Sequence, residues 1–449
     1  MARVLLLATT TGYQVRAFGE AAERLGVDLV YATDRCHVLD DPWRDEAVAI
    51  RFYDEEGSAE AILEAARGRP IDGEHAVGDR PTVIGARVIA GLGLPGHSTA
   101  AATTSRNKLL TRECFRAAGL PAPEFLSVPV SIEPSELEGR VAFPCVVKPL
   151  TLSGSRGVMR ANDHAELVAA LYRLRALLQS PDVRGDRTEA NETALIEAFV
   201  PGREFAVEGL MEHGALRVLA IFDKPDPLDG PFFEETIYVT PSRASDAVQQ
   251  EIIRTVWRAA EAIGLRHGPV HAECRANDRG VFVLEVAARP IGGLCSRALR
   301  FNGVGRIFPM AQSAGKSTKN APESAGKSSR PLCSLEELLL RHALGEPTAE
   351  WTREADASGV MMIPIPRRGV FRSVSGVDEA RALPNIDDVR ITAKPDQVLV
   401  PLPEGASYLG FIFARAATPD DVEHALRGAH ARLTFTIDSE LRVLQSLHG

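Results

Sequence analysis

Short apolar runs alternate with amphipathic stretches over the first hundred residues. VLLLA (4–8) is followed by QVRAFGEAAERLG (14–26) and then by DLVYAT (28–33); GARVIAGLG (85–93) and LPGHS (94–98) come later. An apolar run of five residues is too short for a signal-peptide core or a membrane span and reads as a buried first strand. The strand–helix–strand rhythm predicts a parallel, doubly wound sheet over residues 1–105. The turn after the first strand, TTTGYQ, lacks GxGxxG, so a dinucleotide site and a Rossmann oxidoreductase are poorly supported.

The pattern changes after residue 106. NKLLTRECFRAAGLP (107–121) reads as a helix closed by Gly119 and Pro121. The strand FPCVVKP (143–149), the small-residue loop LTLSGSRG (150–157), the helix HAELVAALYRLRALLQ (164–179) and the strands LIEAFV (195–200) and EFAVEGL (204–210) follow. VHAEC (270–274) and VFVLEV (281–286) are β-prone and flank a turn-rich ANDRG, which predicts a hairpin with a five-residue loop. In that register Glu273 faces Val283, and Glu285 is its diagonal neighbour on the same face. Residues 303–334 contain two near-copies, SAGKST and SAGKSS, in a Ser/Lys/Gly-rich stretch. Both resemble the tail of a phosphate-binding loop, but Met310 and Ala321 stand where the required glycine belongs, so a flexible surface insertion is expected. Beyond it, GVMMIPIP, VRITAK, YLGFIFARA, the helix TPDDVEHALRGAHARL and FTIDS predict a small α/β unit over 335–449.

Composition narrows the class. The 449 residues are 45% hydrophobic and 25% charged, ordinary for a globular protein of two or three domains. A net charge of −9 argues against a nucleic-acid surface. Six cysteines show no metal spacing and read as free thiols in a reducing cytoplasm, with no membrane association expected.

Several residues carry candidate chemistry. Two converging carboxylates, Glu273 and Glu285, repel unless a hard cation sits between them, and Mg²⁺ suits oxygen ligands. Arg289, four residues on, offers a planar fork to an anion. Lys148 ends a strand beside Ser153, Gly154, Ser155 and Gly157, a setting that presents an ammonium and backbone N–H groups to phosphate. Lys108 heads a helix, where its charge opposes the dipole and hints at an anionic partner. Backbone groups at Glu197, Phe199 and Val200 can read an adenine edge, with Glu204 placed to accept from ribose hydroxyls.

The order of these elements resembles the ATP-grasp superfamily, over residues 1–300. The resemblance implies an α/β fold: a Rossmann-like lobe at 1–105, an ATP-grasp domain at 106–302 with its lid near 125–200, the insertion and a C-terminal domain. It implies Lys108 and Lys148 on ATP phosphates, residues 153–157 as the loop over the γ-phosphate, Glu197, Phe199 and Val200 at adenine, Glu204 at ribose, and Glu273 and Glu285 on Mg²⁺ (or Mn²⁺). Many members place Asn between the second glutamate and the arginine; here that position is Ala287, which cannot ligate. The string HxE…LExAAR, the segment 222–242 and the C-terminal stretch are similar to the L-amino-acid ligase branch. That branch implies an ATP-dependent carboxylate–amine ligase working through an acylphosphate on small carboxylic acid and amine substrates, as a possible homodimer. Arg289 and Lys148 are then catalytic. Lys224, Glu235, His271, Gly292 and Gly293 are candidates for the substrate pocket. Ligases of nucleotide biosynthesis, biotin-carboxylase-like enzymes and a non-catalytic ATP-binding grasp protein are the alternatives.

Overall fold

The structure is a computed structural model that describes residues 1–9, 14–34, 47–303 and 332–439. Cys36 and both SAGKS repeats lie outside the described residues. The N-terminal lobe is a four-stranded parallel sheet in the order β3–β2–β1–β4, from β1 (Arg3–Leu7), β2 (Asp28–Thr33), β3 (Val48–Ala49) and β4 (Gly73–Ala76). Helices α1 (Val15–Leu25), α2 (Glu55–Ala66) and α3 (Thr82–Leu92) accompany it. The apolar Val4–Leu7 of β1 are buried on both faces, as a central parallel strand must be. Two further helices, α4 (Thr99–Arg106) and α5 (Lys108–Ala117), lead out of the lobe; Asn107 caps α5 by accepting from Leu109 and Leu110 N–H.

A second four-stranded sheet forms a lid over the cavity. Its order is β5–β8–β6–β7, from β5 (Phe125–Pro129), β6 (Cys145–Pro149), β7 (Met159–Ala161) and β8 (Thr193–Ala198). The long helix α6 (His164–Leu178) buries Leu167, Leu171, Leu174 and Leu178 against it, and the short α7 (Pro181–Arg184) follows.

The floor is one eight-stranded sheet. It starts with β9 (Arg203–Glu212), β10 (Ala215–Asp223), β11 (Ile237–Thr240), β12 (Gly268–Asn277) and β13 (Gly280–Ala287), and continues through the strands Ala357–Ile363, Gly410–Ala416 and Ile386–Ile391. Strand Ala357–Ile363 pairs antiparallel with β11, so the C-terminal residues extend the same sheet. Helix α8 (Asp246–Ile263) covers part of it, capped by Ser245 at its start and closed by left-handed Gly264. Its Ile252, Val256 and Ile263 join Val270, Cys274 and Val283 in one core, at roughly 1.5–3 kcal/mol per large side chain buried.

The hairpin differs from the sequence-based expectation. The loop is two residues, not five: Asn277 pairs with Gly280, and the Asn277 side chain accepts from Arg279 N–H at 2.9 Å. Ala276 and Asn277, expected in the loop, stay in the ladder. A bulge then leaves Leu284 unpaired and sets Glu285 directly opposite Glu273, where Val283 was expected. Arg112 of α5 fills the bulge by donating to the Val283 and Leu284 carbonyls at 3.1 and 2.9 Å.

Candidate nucleotide and acid–amine site

Lid, floor and N-terminal lobe enclose a cavity of about 1010 Å³, at the upper end of small-molecule sites. All the candidate residues from the sequence except Gly157 and Lys224 line it, and they arrive from different directions. On the lid side, Lys148 at the end of β6 contacts Glu197 of β8 at 2.5 Å. Arg112 forks onto the same carboxylate at 2.7 and 3.3 Å. Burial lowers the Lys148 pKa to about 8; Glu197 opposes the shift and Arg112 adds to it. Burial pushes the Glu197 carboxyl upward, but the two cations together outweigh it and hold it ionised. Arg112 is one helical turn beyond Lys108, a spacing that could have marked it in the sequence.

Lys108 donates to the Leu152 carbonyl at 2.8 Å and stands 3.4 Å from Glu285. The loop 153–157 is left-handed at Gly154, Ser155 and Gly157, with φ of 62°, 55° and 75°. Gly157 N–H, expected to be open to phosphate, instead donates to the Pro403 carbonyl at 2.8 Å. Arg156 donates to the neighbouring Glu404 carbonyl, and Arg173 forks onto the Glu404 carboxylate. At the hinge strand, Phe199 N–H is engaged by Pro144 O at 3.0 Å and Val200 O by Arg275 at 2.8 Å. Both groups were candidates for the adenine edge, and both are occupied. Val200 N–H has no backbone partner among the described residues.

The floor holds an acidic cluster around Lys224. Its ammonium contacts Glu235 at 2.5 Å, Glu204 at 2.8 Å and Glu273 at 3.2 Å. Oxygens of those three glutamates lie within 4.8 Å of one another, close enough to share a cation. Glu285 is outside this group. Glu204, expected at ribose, also receives Arg275 at 2.8 Å and is buried. Burial and the Glu273 charge raise the Glu235 pKa to about 7, while Lys224 and His271 hold Glu273 well below the usual carboxylate range. His271 contacts Glu208 at 3.1 Å; burial works against its charge, but that carboxylate and Glu273 prevail and raise it to about 9.

Arg289 does not point an open fork into the cavity. It grips Asp79, in the loop after β4, at 2.8 and 3.1 Å, and also donates to Pro290 O. Asp79 also takes a hydrogen bond from Ser153 and feels the Lys108 charge. The sequence reading missed Asp79, although the carboxyl end of a parallel strand is where ligands gather in such sheets. Glu208, Gln14 and Arg275 were missed as well. The aromatic and apolar lining from Tyr238, Cys295, Met362, Tyr408 and Phe411 is assembled by tertiary contacts alone.

Three family models match: the ATP-grasp N-terminal domain over residues 19–96, the ATP-grasp domain over 141–298, and the L-amino acid ligase C-terminal domain 2 over 361–438. The chain carries an ATP-grasp domain with its N-terminal companion domain. Its fold is similar to that of an L-amino acid ligase from Bacillus licheniformis, with a TM-score of 0.77, 25% identity and coverage of 98% of this chain and 99% of that one. An uncharacterised protein of Sinorhizobium fredii is 23% identical over all of this chain and 85% of its own length. A D-alanine–D-alanine ligase of Acidovorax ebreus is 29% identical over 49% of this chain, which spans 64% of that enzyme. The hairpin, lid and hinge strand of this ATP-grasp chain all lie within or beside the matched segment 141–298. No helix among the described residues is long and apolar enough to cross a membrane.

Proposed function

We propose that the protein is an ATP-dependent carboxylate–amine ligase that joins an amino acid, or a related small acid, to an amine and releases ADP and phosphate. One observation carries this reading: a single cavity holds Lys148 and Lys108 on one wall and clustered carboxylates on the facing floor. A triphosphate and its counter-cations need both surfaces. The C-terminal family match and the similarity to the Bacillus licheniformis enzyme support the amino-acid branch.

The donor set fits Mg²⁺, because every candidate ligand is a hard carboxylate oxygen and Glu235 and Glu273 repel when both are ionised. Glu273 and Glu285, with Glu204 or Glu235 nearby, would hold it, and bound there it would neutralise phosphate charge. Lys148 and Lys108 supply positive charge to the phosphates from the lid side. Loop 153–157, tied down through Gly157 and Arg156, keeps water from the transferring group. A carboxylate is a poor acyl donor, so its oxygen takes the γ-phosphoryl group to give an acylphosphate. The amine nitrogen then bonds to the acyl carbon, phosphate leaves, and the amine loses a proton. On this reading the Gly292–Gly293 amides and the Arg289 charge, all of which line the cavity, serve the carboxylate and then the oxyanion.

A matrix of acid and amine pairs, read by ADP release and by mass detection of the condensed product, tests the proposal. ADP formation that requires both partners is expected. Silence across all amino-acid pairs and small acids would sink it.

A further inference from the structure

The turn after Arg289 is held from two sides by residues with no place in the mechanism above. Glu208 of β9 is fully buried, and both its oxygens accept from the Ile291 N–H, at 3.1 and 3.0 Å. On the other side of the same residue, the buried Gln14 of the N-terminal lobe donates to the Ile291 carbonyl at 2.6 Å. The N–H and the C=O of Ile291 belong to two successive peptide planes, and each is fixed by a buried side chain from a different lobe. The second plane also carries the Gly292 N–H, so holding the Ile291 carbonyl sets the direction of that N–H, and holding both planes keeps the turn beyond in one orientation.

Those residues are Gly292 and Gly293. Both line the cavity, and neither N–H has a hydrogen-bond partner among the described residues. Gly293 has φ of 61°, and a Cβ there would meet the Phe411 ring at 3.2 Å, so the turn is confined on its outer side too. The unpartnered amides are stable only if a ligand atom or water satisfies them.

We infer that Glu208 and Gln14 are positioning residues: together they clamp the two peptide planes that flank Ile291 so that the Gly292 and Gly293 N–H groups face the acyl oxygen. This inference rests on the ligase reading and assigns the clamp its task within it. Neither side chain touches the reacting atoms. Preorganised donors act because they need no reorientation when charge develops, so a turn that can swing loses most of their effect. Glu208 also holds His271 at 3.1 Å, whereas no hydrogen bond among the described residues joins Gln14 to that imidazole; a loss common to variants at both positions isolates the turn.

The test uses Gln14→Ala, Glu208→Gln and Glu208→Ala in the full chain, with the acid–amine pair that the matrix identifies. Measured are kcat, the KM for ATP, the melting temperature and acylphosphate formation without amine, trapped as the hydroxamate. Gln14→Ala and Glu208→Gln are each expected to lower kcat by roughly tenfold or more, with the ATP KM within about twofold and folding retained. Hydroxamate formation should fall less than amide formation. Glu208→Gln should keep more activity than Glu208→Ala, since its amide oxygen still accepts from Ile291 N–H. If Glu208→Ala does not fold, the other two variants decide. Unchanged kcat in both, or an ATP KM rising in step with the loss, overturns the clamp while the ligase reading stands. A wild-type chain that makes no ADP with any pair removes the ligase reading, and the clamp with it.

Discussion

Lys148 lines the cavity on the lid side, Lys224 is bound to the floor glutamates that line it, and the environments of these two buried lysines drive them in opposite directions. Lys148 shares one carboxylate, Glu197, with Arg112, so two cations divide a single anion. Lys224 has three carboxylates around its ammonium. Burial penalises both charges equally in kind. Lys148 is accordingly left with a pKa lowered to about 8, while the glutamates raise Lys224 well above its ordinary value. The same residue type becomes an under-neutralised cation on the lid and an over-neutralised one on the floor. The first wall attracts phosphate; the second holds carboxylates whose charge a metal ion can offset. What decides the role of a buried lysine here is the ratio of acids to bases around it, not burial.

The sharpest way to break this contrast is to remove acid from the floor. Glu285→Ala is expected to lower kcat by ~10³-fold, about 4 kcal/mol of transition-state stabilisation, with little change in melting temperature. Its side chain is 26% exposed and its recorded ion pair is to Lys108 at 3.4 Å, so little folding energy depends on it. A near-normal rate of ADP release would show that the floor is no metal wall. Circular dichroism on the same sample separates loss of chemistry from loss of fold.

The two walls were unequally readable in the sequence. Lys148, its small-residue loop and the strand LIEAFV are consecutive or nearly so, and local patterning sufficed to place them together. Glu273 and Glu285 were visible as a pair, but their register was not. Ala276 and Asn277 look like loop and instead stay paired, Ala276 with Val281 on one side and Arg203 of β9 on the other, and Asn277 with Gly280. The bulge at Leu284 left no local mark either, since its carbonyl is satisfied by Arg112, 172 residues away. The expected openness of Arg289 failed for the same reason. Its partner Asp79 lies 210 residues upstream, and nothing in either segment names the other. Local periodicity specifies elements; it does not specify which side chain from another lobe has already claimed a donor.

Asp79→Asn probes that claim. An asparagine cannot neutralise the buried guanidinium, so Arg289 loses its bidentate partner and its orientation. The KM for the acid substrate is expected to rise about tenfold, with kcat less affected. A fall in that KM would reveal Asp79 as a competitor for the fork in place of a support for it. The comparison of walls would then extend to a third group, an internal anion displaced by substrate.

The smallest expected effect tests the lid wall by pH. Phosphate binding needs Lys148 protonated, and burial and Arg112 have brought its pKa down to about 8 from an ordinary 10.5. The sign follows: the charged form prevails below pH 8 and is lost above it, so kcat/KM for ATP, which reports the free enzyme, should fall on the alkaline side. Between pH 7.5 and 8.5 the protonated fraction drops about threefold for a group titrating at 8. An ordinary lysine would show no change over that interval. Lys148→Arg keeps a charge that does not titrate in this range, so its profile should be flat there even if its absolute rate is lower. A limb that persists in Lys148→Arg would belong to another group. The one-carboxylate, two-cation environment would then no longer explain the difference between the walls.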